Sequence, residues 1–167
     1  MKNIILLAGI LTSSSLLAQA DAIADWNFDS LTTGTLGPIA ADSGNGSASA
    51  FGISPTATAG NPGQAYSGSQ WNPNDYYQFQ VSTVGFENIA VSYDQEGSGT
   101  GPGTFILEYS LTGNNGDFTQ FGSDYSLGST ASVWTSHPAD LSSATILNDA
   151  STVYFRVVDN SGTAING

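Results

Sequence analysis

The chain contains no cysteine. A disulfide framework and any Cys-ligated zinc or iron–sulfur centre are therefore excluded. There is one histidine, His137, and one imidazole without a thiol is a poor ligand set for a transition metal. Basic residues number two, Lys2 and Arg156, against fourteen Asp and Glu. A nucleic-acid binder neutralises phosphates with Lys and Arg, so nucleic acid is excluded as a partner. Lys, Arg, Glu and Met, four of the better helix formers, supply only six of 167 residues. That argues against a helical bundle. Beyond residue 20 no stretch approaches the ~20 apolar residues of a membrane-spanning helix.

What the chain has instead is small and polar. Gly, Ser, Thr and Asn make up 71 of its 167 residues. These residues do not form a disordered tract, because alternating apolar segments run between them. The start of the chain differs from the rest. Met1-Lys2-Asn3 is short and positively charged, residues 4–11 are apolar, Leu16-Leu17 extends that run, and Ala18-Gln19-Ala20 has small residues at both ends. This pattern predicts a signal peptide over residues 1–20, cleaved after Ala20, with Ala22 and Ala24 as alternative sites. A lipoprotein anchor would need a cysteine. Cleavage removes Lys2 and leaves 147 residues with fourteen acids and one base, a formal net charge of −13. That is the size of one domain, and residues 21–167 are read as one.

Regular alternation marks five strands with one buried face: residues 23–28, 76–82, 88–95, 104–111 and 152–159. In the second, Tyr77, Phe79 and Val81 oppose Tyr76, Gln78 and Gln80. In the fourth, Phe105, Leu107 and Tyr109 oppose Ile106, Glu108 and Ser110. In the fifth, Val153, Phe155 and Val157 oppose Tyr154, Arg156 and Val158. Weaker strands are expected at 48–53, 118–121 and 133–135, and one short helical turn within 141–150, with Asp140 as its cap. Residues 42–47 and 56–70 read as long polar loops. The Thr112-Gly113-Asn114-Asn115-Gly116-Asp117 run is a hairpin loop, whose Gly and Asn supply positive φ angles. Short strands divided by polar turns predict an all-β fold, an antiparallel β-sandwich of jelly-roll type.

A likeness to a known family rests on several runs. They are Trp26-Asn27-Phe28-Asp29, Val84-Gly85-Phe86-Glu87-Asn88-Ile89-Ala90-Val91-Ser92-Tyr93-Asp94, and Phe105-Ile106-Leu107-Glu108-Tyr109-Ser110. Phe118-Thr119-Gln120-Phe121-Gly122, Trp134, Asp140-Leu141-Ser142 and Val153-Tyr154-Phe155-Arg156-Val157 complete them. Together these resemble secreted β-sandwich proteins of environmental bacteria, many of which end in a PEP-CTERM sorting signal. The resemblance covers most of residues 23–160 and implies export and a sandwich fold. It brings no catalytic residues. Such proteins usually continue into a final strand, a Pro-Glu-Pro motif, an apolar span and a basic tail. Here the sequence stops at Ile165-Asn166-Gly167, so a C-terminal truncation is expected. In a jelly roll the first and last strands commonly pair, and a missing last strand would leave residues 23–28 with an open edge.

The chemistry is sparse. His137 precedes Pro138 and reads as a loop residue, and no Gly-x-Ser-x-Gly elbow exists. Glu108 and Asp94 lie on the polar faces of two strands and would approach if those strands were neighbours. Glycosidases use such carboxylate pairs. The competing reading makes them structural partners of Arg156, whose planar fork binds carboxylates bidentately. Calcium is the ion whose oxygen chemistry fits, with Asp25 and Asp29, Asp75 beside Asn72 and Asn74, and Asp117 beside Asn114 and Asn115 as candidates. None matches a calcium loop motif, and Asx-rich turns explain the same residues. No other cofactor is implied. For sugar binding the candidates are Trp71, Asn74, Tyr76, Gln78 and Gln80, with Trp71 as the leading aromatic platform. Its alternative is a place in the core, where Trp is usually found. Three functions stand at this point: a non-catalytic exported module binding glycans or other extracellular polymers, a purely structural surface protein, or an accessory piece of a hydrolase.

Overall fold

The computed structural model describes residues 22–127 and 133–161. The expected signal peptide and residues 162–167, beyond which a last strand and sorting tail were expected to be missing, lie outside the described residues. The fold is all-β and antiparallel. Among the described residues twelve strands follow one another: β1 (Ala24–Asp25), β2 (Ile39–Ala40), β3 (Ser43–Gly44), β4 (Gly46–Phe51), β5 (Ser54–Ala59) and β6 (Gln64–Ser69). Then come β7 (Tyr76–Val81), β8 (Ala90–Gln95), β9 (Thr104–Ser110), β10 (Thr119–Ser126), β11 (Thr135–Asp140) and β12 (Val153–Asp159). A 3₁₀ turn, Thr145–Leu147, follows β11. Among the described residues no helix is long and apolar enough to cross a membrane.

One layer of the sandwich is a six-stranded sheet in the order β10-β9-β12-β7-β4-β2. The chain crosses to the second layer for β8 and again for β11, and those two strands pair with each other. Two smaller ladders, β1 with β3 and β5 with β6, complete the structure. The period-two alternation decides which residues fill the core. Phe105 and Leu107 of β9, Phe155 and Val157 of β12 and Ala50 of β4 point inward from the large sheet. Ile89, Val91 and Tyr93 at β8, Ala139 of β11, and Leu141 and Leu147 beyond it meet them from the second layer.

The 3₁₀ segment is tied to the end of β7 by Thr83, which is fully buried. Its hydroxyl donates to the Leu147 carbonyl at 2.6 Å and accepts from the Ala150 amide at 3.0 Å. Asp140 does not cap that turn. Its carboxylate accepts from the Ser142 amide one step earlier, and Ala144 stands at the turn's N-terminus.

Among the described residues β1 does not have the open edge that a missing last strand was expected to leave. β12 lies between β7 and β9 in the middle of the large sheet, and β1 finds its partner in Ser43 and Gly44. The expected first strand is cut to two residues, and Phe28 further on takes a φ of 58°.

Candidate functional site

The outer face of the large sheet carries a row set by register. Gln120, Glu108, Arg156, Gln78 and Ser49 stand opposite one another across five strands. Arg156 is 7% exposed, although it points away from the core. Two aromatic rings cover it. Its guanidinium carbon lies 3.9 Å from the centre of the Tyr76 ring and 3.6 Å from that of Phe118. Phe51 stacks on Tyr76 with centroids 4.7 Å apart, so Phe51, Tyr76, Arg156 and Phe118 form one stack across the sheet. The Arg156 Nε donates to Gln78 Oε1 at 2.9 Å, and Nη2 donates to the Gly113 carbonyl at 3.4 Å.

Glu108 sits directly beside Arg156 and takes none of these hydrogen bonds. Burial raises its carboxyl above the ordinary range, and the Arg156 charge opposes that shift. Burial likewise lowers Arg156, with Tyr76 and Glu108 opposing. The expected pair is thus a charge neighbourhood at Glu108, with Arg156's hydrogen bonds going to Gln78 and Gly113.

Asp94 is not part of that arrangement. It lies in β8, paired opposite Ser136, on the exposed side of the second layer. The core separates it from both Arg156 and Glu108. The notion of Asp94 and Glu108 as a carboxylate pair fails for the same reason, since β8 and β9 belong to different layers.

Of the two places offered for Trp71, the structure shows the core and not the sugar platform. It is 6% exposed, edge-on to Tyr77 and Phe105 at 5.3 and 5.6 Å, and its Nε1 donates to the Gly68 carbonyl at 2.8 Å. With its ring enclosed and its one polar atom satisfied, it is a core residue and offers no platform to a sugar. Of the other expected sugar contacts, Tyr76, Gln78 and Gln80 share the Arg156 face. Asn74 is an exposed turn residue with φ 73°, and its amide donates to the Asp159 carbonyl. Tyr76 has its ring committed to Phe51 and Arg156.

The calcium candidates are dispersed among separate turns. Asp29 accepts from the Gln64 amide, Asp75 from the Asn72 amide, and Asp117 from Thr112 Oγ1 and Asn114 Nδ2. Those last two bonds lower the Asp117 pKa. Asp25 lies in the short β1 ladder, where its carbonyl accepts from the Asp42 amide. Among the described residues no three Asp, Glu or His side chains gather around one point.

A groove lies where the bulged edge of the large sheet faces the second layer. Between Phe121 and Tyr125 the register of β10 slips, so that residues 122–124 stand against Ile106 alone. Gly122, with φ 74°, provides the turn. Bulges of this kind re-aim side chains and recur beside binding sites. The bulge is held by Gln120 Nε2, which donates to Asp124 Oδ1 at 2.9 Å, and by Asn160 Nδ2, which donates to Asp124 Oδ2 at 2.8 Å. Across from it runs β11. The result is an open groove of about 330 Å³, at the small end of ligand sites.

Leu107, Phe121, Tyr93, Tyr125, His137 and Ala139 supply its apolar and aromatic surface. Ser123, Ser136 and Asp140 supply an exposed polar rim. Three rings interlock there. His137 lies 4.2 Å from Tyr125 and 5.4 Å from Tyr93, its partner in register. The Tyr93 hydroxyl donates to that of Tyr125 at 2.9 Å, which donates to Gln95 Oε1 at 2.8 Å.

Burial raises the pKa of both tyrosines. It lowers His137, with the Asp94 charge opposing, and the His137 Nε2 is buried with no hydrogen-bond partner. The imidazole is therefore held neutral. Asp140 is held ionised by its bonds to Ser142. Among the described residues it is the one carboxylate lining the groove, whereas glycoside hydrolysis ordinarily needs two.

Sequence reasoning missed this groove. His137 was expected in a loop because Pro138 follows it, yet both belong to β11. A proline is tolerated there because β11 pairs on one side only, with β8. One signal was present: a glycine inside an aromatic strand run, Phe121-Gly122, which marks a bulge.

No family model matches the chain, and no curated protein matches it. Among solved structures, the crystal structure of the K2 cleaved adhesin domain of Lys-gingipain superposes with a TM-score of 0.34. The identity is 19%, over 78% of each chain. A likeness at that level carries no argument about function.

Proposed function

We propose that this protein is an exported, non-catalytic β-sandwich module that binds an extracellular polysaccharide in the groove between β10 and β11. The observation that carries the reading is the make-up of that groove. Aromatic and aliphatic surface forms its floor, and hydroxyl and carboxylate groups form its rim. Sugar rings present the matching chemistry, with C–H faces for the aromatic surface and hydroxyls for the rim. The rim residues Gly122, Ser123, Ser136, Pro138 and Asp140 are exposed, so a chain can lie along the groove without being enclosed. Export rests on residues 1–20 and on the likeness to secreted proteins of the PEP-CTERM type. The intact mass of the secreted product should begin at Asp21.

The binding test uses large side chains at the exposed rim, where the core is untouched. Wild-type protein should bind at least one member of a polysaccharide panel. Ser123→Trp and Ser136→Trp should each abolish that binding with the unfolding midpoint unchanged. Binding that survives both substitutions, or no binding to any polysaccharide, would sink the reading.

A further inference from the structure

We infer that the groove selects uncharged glycan chains and rejects acidic ones. This rests on the groove being the polysaccharide site, and it adds the ligand's charge class. Three observations carry it.

First, the rim holds Asp140 and no base. Asp140 is exposed, and its carboxylate is stabilised in the ionised form by the Ser142 bonds. A uronate or sulfate in the groove would lie near that charge. Second, among the described residues no cation is within reach to compensate. Arg156 is the one base among the described residues, and it is 7% exposed, enclosed by Tyr76 and Phe118 on the outer face of the large sheet. His137, the remaining candidate, is held neutral by burial between Tyr93 and Tyr125. Third, the whole chain carries a net charge of −12, so its long-range field repels a polyanion before contact. Recognition of acidic polymers elsewhere relies on Arg forks and Lys point charges, which the described surface does not present.

A neutral chain meets none of these costs. Its hydroxyls both donate and accept, so they can satisfy Ser123, Ser136 and the Asp140 carboxylate together. A hydroxyl donating to an ionised carboxylate makes a charge-assisted bond, stronger than a neutral one. Asp140 thereby acts twice, as an acceptor for neutral sugars and as a barrier to charged ones.

The test is an array of polysaccharides printed in matched pairs on one backbone: dextran with dextran sulfate, and hydroxyethylcellulose with carboxymethylcellulose, among a wider neutral and acidic set. The full chain should bind at least one neutral polymer. Its acidic counterpart should bind about tenfold more weakly or worse, since like-charge juxtaposition is costly. Asp140→Asn keeps the oxygen that accepts from Ser142 and removes the charge. It should narrow the gap severalfold by raising binding to the acidic member. An acidic polymer bound as tightly as its neutral partner overturns the charge selection and leaves polysaccharide binding standing. An unchanged gap in Asp140→Asn overturns the part given to that residue. No signal on any polymer overturns both readings.

Discussion

Arg156 stands on the outer face of β12 with its guanidinium held between the Tyr76 and Phe118 rings, and Glu108 beside it accepts none of its hydrogen bonds. Its position on a polar strand face was legible from the alternation of β12, and so was Glu108 beside it. The ring stack was not, because Phe51, Tyr76 and Phe118 come from three distant segments. The arrangement is better described as cation–π packing than as an ion pair. Guanidinium is weakly hydrated and planar, so stacking between rings costs it less than it would an ammonium. Arg156→Met should therefore destabilise the fold by about 2–4 kcal/mol. It removes two ring contacts and leaves Gln78 Oε1 and the Gly113 carbonyl short of a donor. Arg156→Lys should lose roughly half as much, keeping the charge and losing the planar fork. Urea denaturation measures both, and full stability in Arg156→Met would refute the stack's role. Trp71 teaches the converse. A lone Trp in a polar segment looks like a platform, yet Gly68, Tyr77 and Phe105 enclose it.

Among the elements, strands with strong contrast between faces were readable: β7, β9 and β12 fall within a residue or two of the expected bounds. The β5 and β6 hairpin was hidden within the expected polar loop 56–70, because its Ser, Thr, Ala and Gly side chains give little apolar signal. The β11 strand was hidden by Pro138 and by its short expected length. The groove was invisible because register, and not local pattern, sets His137 against Tyr93 and opens β10 at Gly122. The ladder of β8 and β11 also carries a pH dependence. His137 has a folded pKa below its ordinary value of about 6.5, through burial. The unfolded chain therefore takes up a proton that the folded chain resists. Stability from this group is complete above pH ~6.5 and falls as the pH drops toward the folded pKa. Glu108 has the opposite sign, since its raised pKa makes stability fall as pH rises through that value. Comparing wild type with His137→Gln isolates the histidine. The wild-type urea midpoint should fall from pH 7.5 to 5.5, and the variant should be flatter. Parallel profiles would show that the imidazole titrates as freely folded as unfolded.

At the scale of the whole molecule, the dominant fact is charge of one sign. Thirteen Asp and Glu and one Arg lie among the described residues, and the Arg is spent inside an aromatic stack. No network of ion pairs can form from one base. The acids hold turns together through amide donors instead, as Asp29, Asp42, Asp75 and Asp140 do. Such short bonds are barely altered by salt, whereas repulsion among the exposed carboxylates extends over a Debye length of ~10 Å at about 0.1 M. Compact packing brings those charges closer than the unfolded chain does, so the folded state bears more of the repulsion. Adding sodium chloride from low ionic strength to about 0.5 M should then stabilise the protein by on the order of 1 kcal/mol, or ~3 °C in the unfolding midpoint. The denaturant slope should stay constant, because the surface exposed on unfolding does not change. A midpoint that falls with salt would mean that attractive charge pairs outweigh the repulsion, and would contradict the account of a fold built without them.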